Sequence, residues 1–178
     1  MQGPLKQLNI TFNPVEDRLL LRMTTGTPDS LVEYRVWLTR RFVRVFWKTL
    51  EKLLETIAGR DTRVAPDSRN AVMQFQQEAA LSRTNFSTPY GAENAISPLG
   101  EAPLLVSKIQ VRKGPQGRPV LSMQTQKGQG VNIAVNPHLV HSLRKLIADA
   151  VKKVEWDLPF TIYAEETGPD KAVTPTVN

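Results

Sequence analysis

A chain of 178 residues is long enough to bury a sizeable core, and 40% hydrophobic with 22% charged residues is an ordinary globular composition. This composition excludes a mainly disordered chain, and the absence of cysteine excludes disulfides, thiolate metal sites and cysteine nucleophiles. The net charge of +6 is uneven: residues 1–154 carry 22 bases and 12 acids, or +10, whereas five acids and one base follow from Glu155 onward. The main part of the chain is therefore expected to attract an anionic partner.

The first 60 residues show the pattern of three strands followed by a helix. Thr39 is a good N-cap for this helix, and Gly59 is placed to end it. Alternating apolar residues predict the three strands over 8–12, 18–24 and 31–38. Within the helix, apolar residues recur at the spacing of a buried stripe: Val43, Phe46, Leu50, Leu53, Leu54 and Ile57.

The middle of the chain, residues 61–104, has no strand pattern. A linking helix is predicted over 68–83. Residues 85–104 contain three prolines and two glycines, and so long an irregular connection is unusual inside a compact domain. Two interpretations stay open for it, a flexible joint between two halves or a functional loop.

The pattern of three strands and a helix returns over residues 105–158. Strands are predicted around 105–111, 121–123 and 131–135, and Asn136 is the N-cap of a helix with Pro137 at its first position. The predicted buried positions of this helix are Leu139, Val140, Leu143, Ile147, Ala150, Val151 and Val154. Residues 159–178 are expected to form a flexible acidic tail.

Residues 131–154 repeat the pattern of residues 34–57 at an offset of 97 positions. Strand, cap and buried helical positions coincide, which indicates an internal duplication. Chance similarity is the alternative, because burial imposes the same periods on any strand–cap–helix unit. Either explanation gives an α+β fold of two βββα units, with antiparallel sheets, helices packed on one face and an extra linking helix. The two units are expected to form one compact domain.

Catalytic chemistry has little support in the sequence. The two histidines, His138 and His141, lie three residues apart on the last helix, and no pattern nearby supplies a third metal ligand. They are interpreted as solvent-facing structural residues. No phosphate-binding glycine motif and no G-x-S-x-G elbow occurs. The sequence therefore predicts a protein that is not an enzyme and that uses no cofactor or metal.

Basic residues are concentrated in two acid-free stretches, one between Glu33 and Glu51 and one between Glu101 and Asp149. Three arginines occupy the opening turns of the first helix, where the helix macrodipole disfavours cations. An anionic partner explains this placement, and salt bridges to carboxylates elsewhere are the alternative. On the third strand, Trp37 lies on the face opposite the core and can stack bases beside Arg22 and Arg35. It can equally be covered by the long loop, by a subunit or by the second half.

Two family comparisons concern the order of elements. Strands followed by a helix, repeated, resemble the single-stranded nucleic-acid-binding modules of the PUR and Whirly type, which have four strands per unit where this chain has three. The order helix–βββ–helix over residues 68–153 resembles a double-stranded-RNA-binding domain, but the last helix lacks the lysine cluster of that family. Neither comparison assigns a family, and both imply nucleic acid only by analogy of fold.

The leading hypothesis is a non-enzymatic protein that binds nucleic-acid backbones with little sequence preference. The alternative is an adaptor or assembly subunit that binds acidic protein or associates with itself. No apolar signal core and no run of about 18 apolar residues occurs, so a cytoplasmic protein without membrane contact is expected. The candidate binding residues are Arg22, Arg35, Trp37, Arg40, Arg41, Arg44, Lys48, Lys108, Arg112 and Lys113.

Overall fold

Two β-sheets and two long helices are seen in the computed structural model of the protein, which describes residues 5–27, 29–60, 90–92, 95–158 and 160. The predicted α+β class is therefore confirmed. The linking helix predicted over 68–83 lies outside the described residues. The same holds for the tail predicted over 159–178, apart from Phe160.

The first sheet has the strand order β1-β2-β3-β4, with the first three strands antiparallel. Its alternating side chains turn one face to the core, where Leu19, Leu21 and Met23 of β2 are fully inaccessible to solvent and the apolar residues of β1 are half-buried. The β1–β2 turn is fixed by Asn13, whose side-chain oxygen accepts hydrogen bonds from two following amides. The bounds are β1 Leu5–Asn13, β2 Arg18–Thr27, β3 Ser30–Thr39 and β4 Leu104–Leu105.

The second sheet is a three-stranded antiparallel sheet in the order β5-β6-β7. Its bounds are β5 Lys108–Lys113, β6 Pro119–Gln124 and β7 Gly130–Ala134, with a 3-10 turn at Pro115–Gly117. One boundary differs from the sequence prediction, because Leu105 belongs to β4 of the first sheet and pairs with Trp37 in parallel. The pairing occurs because the edge of β3 has backbone groups that no other strand has paired. One of them, the Trp37 carbonyl, accepts a hydrogen bond from the Val106 amide at 3.3 Å.

The helices are α1, Arg40–Arg60, and α2, Pro137–Lys153. Both predicted N-caps are confirmed: Thr39 Oγ1 accepts from the Phe42 amide at 3.2 Å, and Asn136 Oδ1 accepts from the Leu139 amide at 2.8 Å. The predicted buried stripes are also confirmed, with only Ile57 and Val154 half-buried. Within the described residues, neither helix combines the length and apolar character needed to cross a lipid bilayer.

Replacing Asn136 with alanine is expected to lower the free energy of unfolding by about 1 kcal/mol, because the Leu139 amide loses its acceptor. Asn136→Asp is the matched control and should unfold like the unaltered protein, since aspartate caps helices as well as asparagine does. Urea unfolding followed by circular dichroism measures both changes. Equal losses in the two variants would contradict a capping role.

One hydrophobic core joins the two sheets and both helices. The helices pack against each other, and each also contacts the first strand of the other unit: α1 touches β5, and α2 touches β1. The two βββα segments are therefore interlocked in space, although they are consecutive in the chain.

The chain after α2 returns to the first sheet. Trp156 is buried with its ring edge-on to Phe12, at 6.1 Å between ring centroids and 89° between planes. Its indole nitrogen donates to Asp17 Oδ1 at 2.9 Å, in the turn between β1 and β2. Four residues later, Phe160 stacks on Trp47 of α1 at 4.3 Å and 11°. These contacts fasten the C-terminal end of the described chain to the N-terminal unit.

Candidate anion-binding surface

Four basic side chains follow one another along the solvent-exposed side of α1. They are spaced three or four residues apart, which places them on one helical face while the apolar residues face the core. We call this set the α1 basic stripe, and its members are Arg41, Arg44, Lys48 and Lys52. A stripe of this kind is chemically suited to binding a linear polyanion.

None of the four stripe residues makes an ion pair within the described part of the chain. The ion pairs seen there are Arg18–Glu16, Arg35–Glu33, Arg144–Glu51 and Lys145–Asp149. One acid, Glu55, is exposed in the last turns of α1. Internal salt bridges between described residues therefore do not explain why the stripe is basic.

Strand β5 brings a second group of cations next to α1. Lys108, Arg112 and Lys113 are all exposed on this strand. The last two line a cleft against α1, together with Lys52 of the stripe. Two basic stretches that are about 60 residues apart in the sequence thus contribute to one surface.

Arg22 and Arg35 lie opposite each other on β2 and β3, on the sheet face away from the core. Both guanidinium groups already have partners among other residues of this chain. Arg22 donates to Asn9 Oδ1 through Nε at 3.3 Å and Nη2 at 2.9 Å, and its guanidinium lies 4.3 Å from the centre of the Tyr90 ring. Arg35 Nε is 3.7 Å from Glu33, and Nη2 donates to Ser97 Oγ at 3.2 Å.

Residues 90–92 and 95–105 include side chains and backbone groups that cover part of this sheet face. The Tyr90 hydroxyl donates to Glu33 Oε1 at 3.0 Å. Burial, followed by this hydrogen bond and the charge of Glu33, raises the pKa of Tyr90 well above its usual value, so the phenol stays a neutral donor. Trp37 is half-buried beside β4. The sequence left open whether the face that carries Trp37 is exposed or covered. The structure shows that this face is partly covered, so only part of the Trp37 ring is open for stacking.

Arg40 occupies a different environment from its helical neighbours. It is exposed, and its Nη2 lies 3.4 Å from the carbonyl oxygen of Asp157, in the segment that follows α2. Seven of the predicted binding residues are exposed and make no ion pair in the described part of the chain: Arg40, Arg41, Arg44, Lys48, Lys108, Arg112 and Lys113.

Trp47 is at the centre of a buried cluster between α1 and the C-terminal half. Its indole nitrogen donates to Glu51 Oε1 at 2.7 Å, and Phe160 stacks on the ring at 4.3 Å. The Arg144 guanidinium lies 4.7 Å from the ring centre, and the residue is only 5% exposed. Trp47 is therefore a packing residue of the core. Arg144, a member of the acid-free second stretch, is not available at the surface.

The prediction that both histidines face solvent is wrong for His141. His138 is exposed, but His141 is 2% exposed, and neither ring nitrogen has a hydrogen-bond partner in the described structure. Burial, with smaller contributions from the positive charge of Arg144 and from His138, lowers the pKa of His141 to about 4. No group of three potential metal ligands is found among the described residues.

No protein-family model, no curated protein and no solved structure gives a significant match to this chain. The functional argument therefore depends on the geometry and charge of the surface.

Proposed function

We propose that this protein binds nucleic acid through the α1 basic stripe and the cations of β5. One observation carries the proposal: the stripe is a row of exposed cations on a helix whose opposite side is fixed in the core, without ion-pair partners among the described residues. Such a row costs free energy through mutual repulsion unless an anion binds it.

The dimensions of the stripe suit a phosphate backbone. At 1.5 Å per helical residue, Arg41 and Lys52 are about 16 Å apart along α1. One strand of B-form DNA carries about five phosphates over that distance. Lysine and arginine that contact phosphates provide affinity but read no base sequence, so little sequence preference is expected. The role is one of binding, without a catalytic step.

Replacing Arg44 and Lys48 together with glutamine is expected to weaken oligonucleotide binding about tenfold at low salt. The slope of log affinity against log salt should fall in magnitude by about two, because two fewer counterions are released. Glutamine is as good a helix former as lysine, so α1 should be preserved. Fluorescence anisotropy with labelled single- and double-stranded oligonucleotides over a range of salt concentrations measures both quantities.

The matched control is Lys127→Gln with Lys152→Gln, which removes the same charge from exposed positions outside the stripe. This control should keep nearly all of the affinity and the slope. Equal effects in the two double variants would show that net charge, and not the stripe, governs binding. Absence of binding by the unaltered protein at low salt would remove the proposal.

A second candidate function is supported by apolar residues within the same surface. Val45 is 48% exposed beside the stripe residues, and Val111 is 43% exposed on β5. Apolar contacts of this kind suit an acidic protein partner better than a phosphate backbone. Under this alternative, Val45→Ser weakens association with the partner, whereas oligonucleotide binding does not depend on Val45.

We also propose that the two βββα segments derive from a duplication. The reciprocal packing supports it, since α1 contacts the first strand of the second unit and α2 contacts the first strand of the first. Under this proposal the units have diverged in charge: α1 presents the stripe, whereas the corresponding stretch of α2 includes the buried Arg144.

A further inference from the structure

A cleft of about 270 Å³ lies between the C-terminal half of α1 and strand β5. One wall is apolar and includes Leu53, Ile57, Val111 and Pro119. Lys52, Arg112 and Lys113 provide positive charge around it, and none of its described lining residues is acidic. The cleft therefore combines an apolar wall with three cations, which is a chemistry distinct from that of the open stripe.

Arg112 lines this cleft, and its guanidinium is held by Gln110, two residues earlier on the same strand. Its Nε and Nη2 both donate to Gln110 Oε1, at 3.2 and 2.7 Å. An arginine has five N–H donors, so three remain after these two bonds. A guanidinium held in this way can bind an oxyanion with paired hydrogen bonds at a reduced entropy cost.

Two threonines add polar atoms on the α1 side. The hydroxyls of Thr49 and Thr56 donate to the backbone carbonyls of Val45 and Lys52, at 2.8 and 2.7 Å. Their hydrogens are thus engaged, and their oxygens keep lone pairs that can accept from a ligand N–H or O–H.

The size and charge of the cleft narrow the class of ligand. Ligand pockets commonly enclose roughly 300–1,000 Å³, so this one suits a single ring with its substituent rather than a chain or a helix. A phosphate monoester carries about −1.5 to −2 at neutral pH, which matches three cations better than a carboxylate does. We propose that the cleft binds a ring-bearing phosphate monoester, either a free small molecule or the phosphorylated end of a nucleic-acid strand.

Titration of the full-length, ¹⁵N-labelled protein with phenyl phosphate tests the site directly. The expected result is saturable shifts of the Val111 and Gly117 amides, with an affinity about tenfold higher than for inorganic phosphate or benzoate. Equal affinity for phenyl phosphate and inorganic phosphate would overturn the proposal, because the apolar wall would then contribute nothing. Shifts confined to residues outside the cleft would overturn it as well.

Two variants distinguish the contribution of the apolar wall to ligand binding from the contribution of the positive charge. Val111→Trp fills the cleft with a residue that strands accept, and should weaken phenyl phosphate binding about tenfold. Arg112→Gln with Lys113→Gln should remove the preference for phenyl phosphate over benzoate, whereas Lys127→Gln should preserve it. If Val111→Trp unfolds the protein, the charge variants and the amide shifts of the unaltered chain still decide the matter. Unchanged affinity in both sets of variants would contradict the site.

The two sources of the phosphate are distinguished with oligonucleotides. A single strand with a 5′-phosphate should bind more tightly than the same strand with a 5′-hydroxyl if the cleft holds a strand end, and Val111→Trp should abolish the difference. Equal binding of the two strands, with phenyl phosphate binding retained, assigns the cleft to a free small molecule. The cleft shares Lys52 with the stripe and Arg112 and Lys113 with the proposed nucleic-acid surface. Phenyl phosphate tests the cleft and unphosphorylated oligonucleotides test the stripe, so each proposal has its own result that would overturn it.

Discussion

Replacing Trp47 with alanine is expected to lower the free energy of unfolding by about 3–5 kcal/mol, the range for truncation of a buried aromatic residue. The residue is 3% exposed and contacts two groups from distant parts of the chain, the Phe160 ring and the Arg144 guanidinium. Its indole nitrogen also donates to Glu51, one helical turn away. Its removal leaves a cavity and deprives a buried cation of the ring it lies against. Urea unfolding followed by circular dichroism measures the loss without relying on tryptophan fluorescence.

The matched control is Trp37→Ala, because Trp37 is the same residue type but only half-buried on the opposite face of the first sheet. Its substitution should cost less than half as much, since less apolar surface leaves water when this side chain folds into place. Equal losses for Trp47 and Trp37 would contradict the central role of the Trp47 cluster. A loss below about 1 kcal/mol at Trp47 would do the same.

The second large effect concerns pH. His141 is expected to make the protein less stable as the pH falls from 6.5 toward 4, by up to about 3 kcal/mol in total. In the unfolded chain this imidazole takes up a proton near pH 6.5, whereas in the folded protein burial delays protonation to about pH 4. The stability that neutral His141 contributes is therefore complete above about pH 6.5 and is lost by about pH 4.

Carboxylates also change stability over this range, so the comparison needs a variant. His141→Leu should be at least as stable as the unaltered protein at neutral pH, because leucine buries no unpartnered nitrogen. Near pH 5 the variant should exceed the unaltered protein by about 2 kcal/mol more than it does at neutral pH. Parallel stability curves for the two proteins would show that His141 does not titrate as expected.

The helices and their caps were predictable because burial demands a fixed spacing that can be read directly from the sequence. The stripe residues were predictable for the same reason, since a cation three or four residues from another on the polar side of a helix shares its face. Burial of Leu50 and exposure of Lys48 are two consequences of one helical period. Local chemistry decides these features.

The structure differs from the sequence predictions at positions where contacts between distant residues determine the environment of a side chain. Leu105 continues the apolar pattern of a following strand, yet it pairs with Trp37 because the edge of β3 is free. Arg144 resembles its basic neighbours in sequence, and only the position of Trp47 and Glu51 explains its burial. The cover over Arg22 and Arg35 likewise depends on Tyr90 and Ser97, which belong to a segment without periodicity. No local pattern encodes such pairings.

The hydrogen bond between Trp156 and Asp17 joins residues 139 positions apart, and this has a consequence for biosynthesis. A ribosome that adds roughly 5–20 residues per second needs about 7–28 s to supply Trp156 after Asp17. Throughout that interval the β1–β2 hairpin lacks its tryptophan contact, and α1 lacks the ring that stacks on Trp47. The nascent N-terminal unit therefore stays incompletely packed until Trp156 and Phe160 have been synthesised. The native fold is completed only late in biosynthesis.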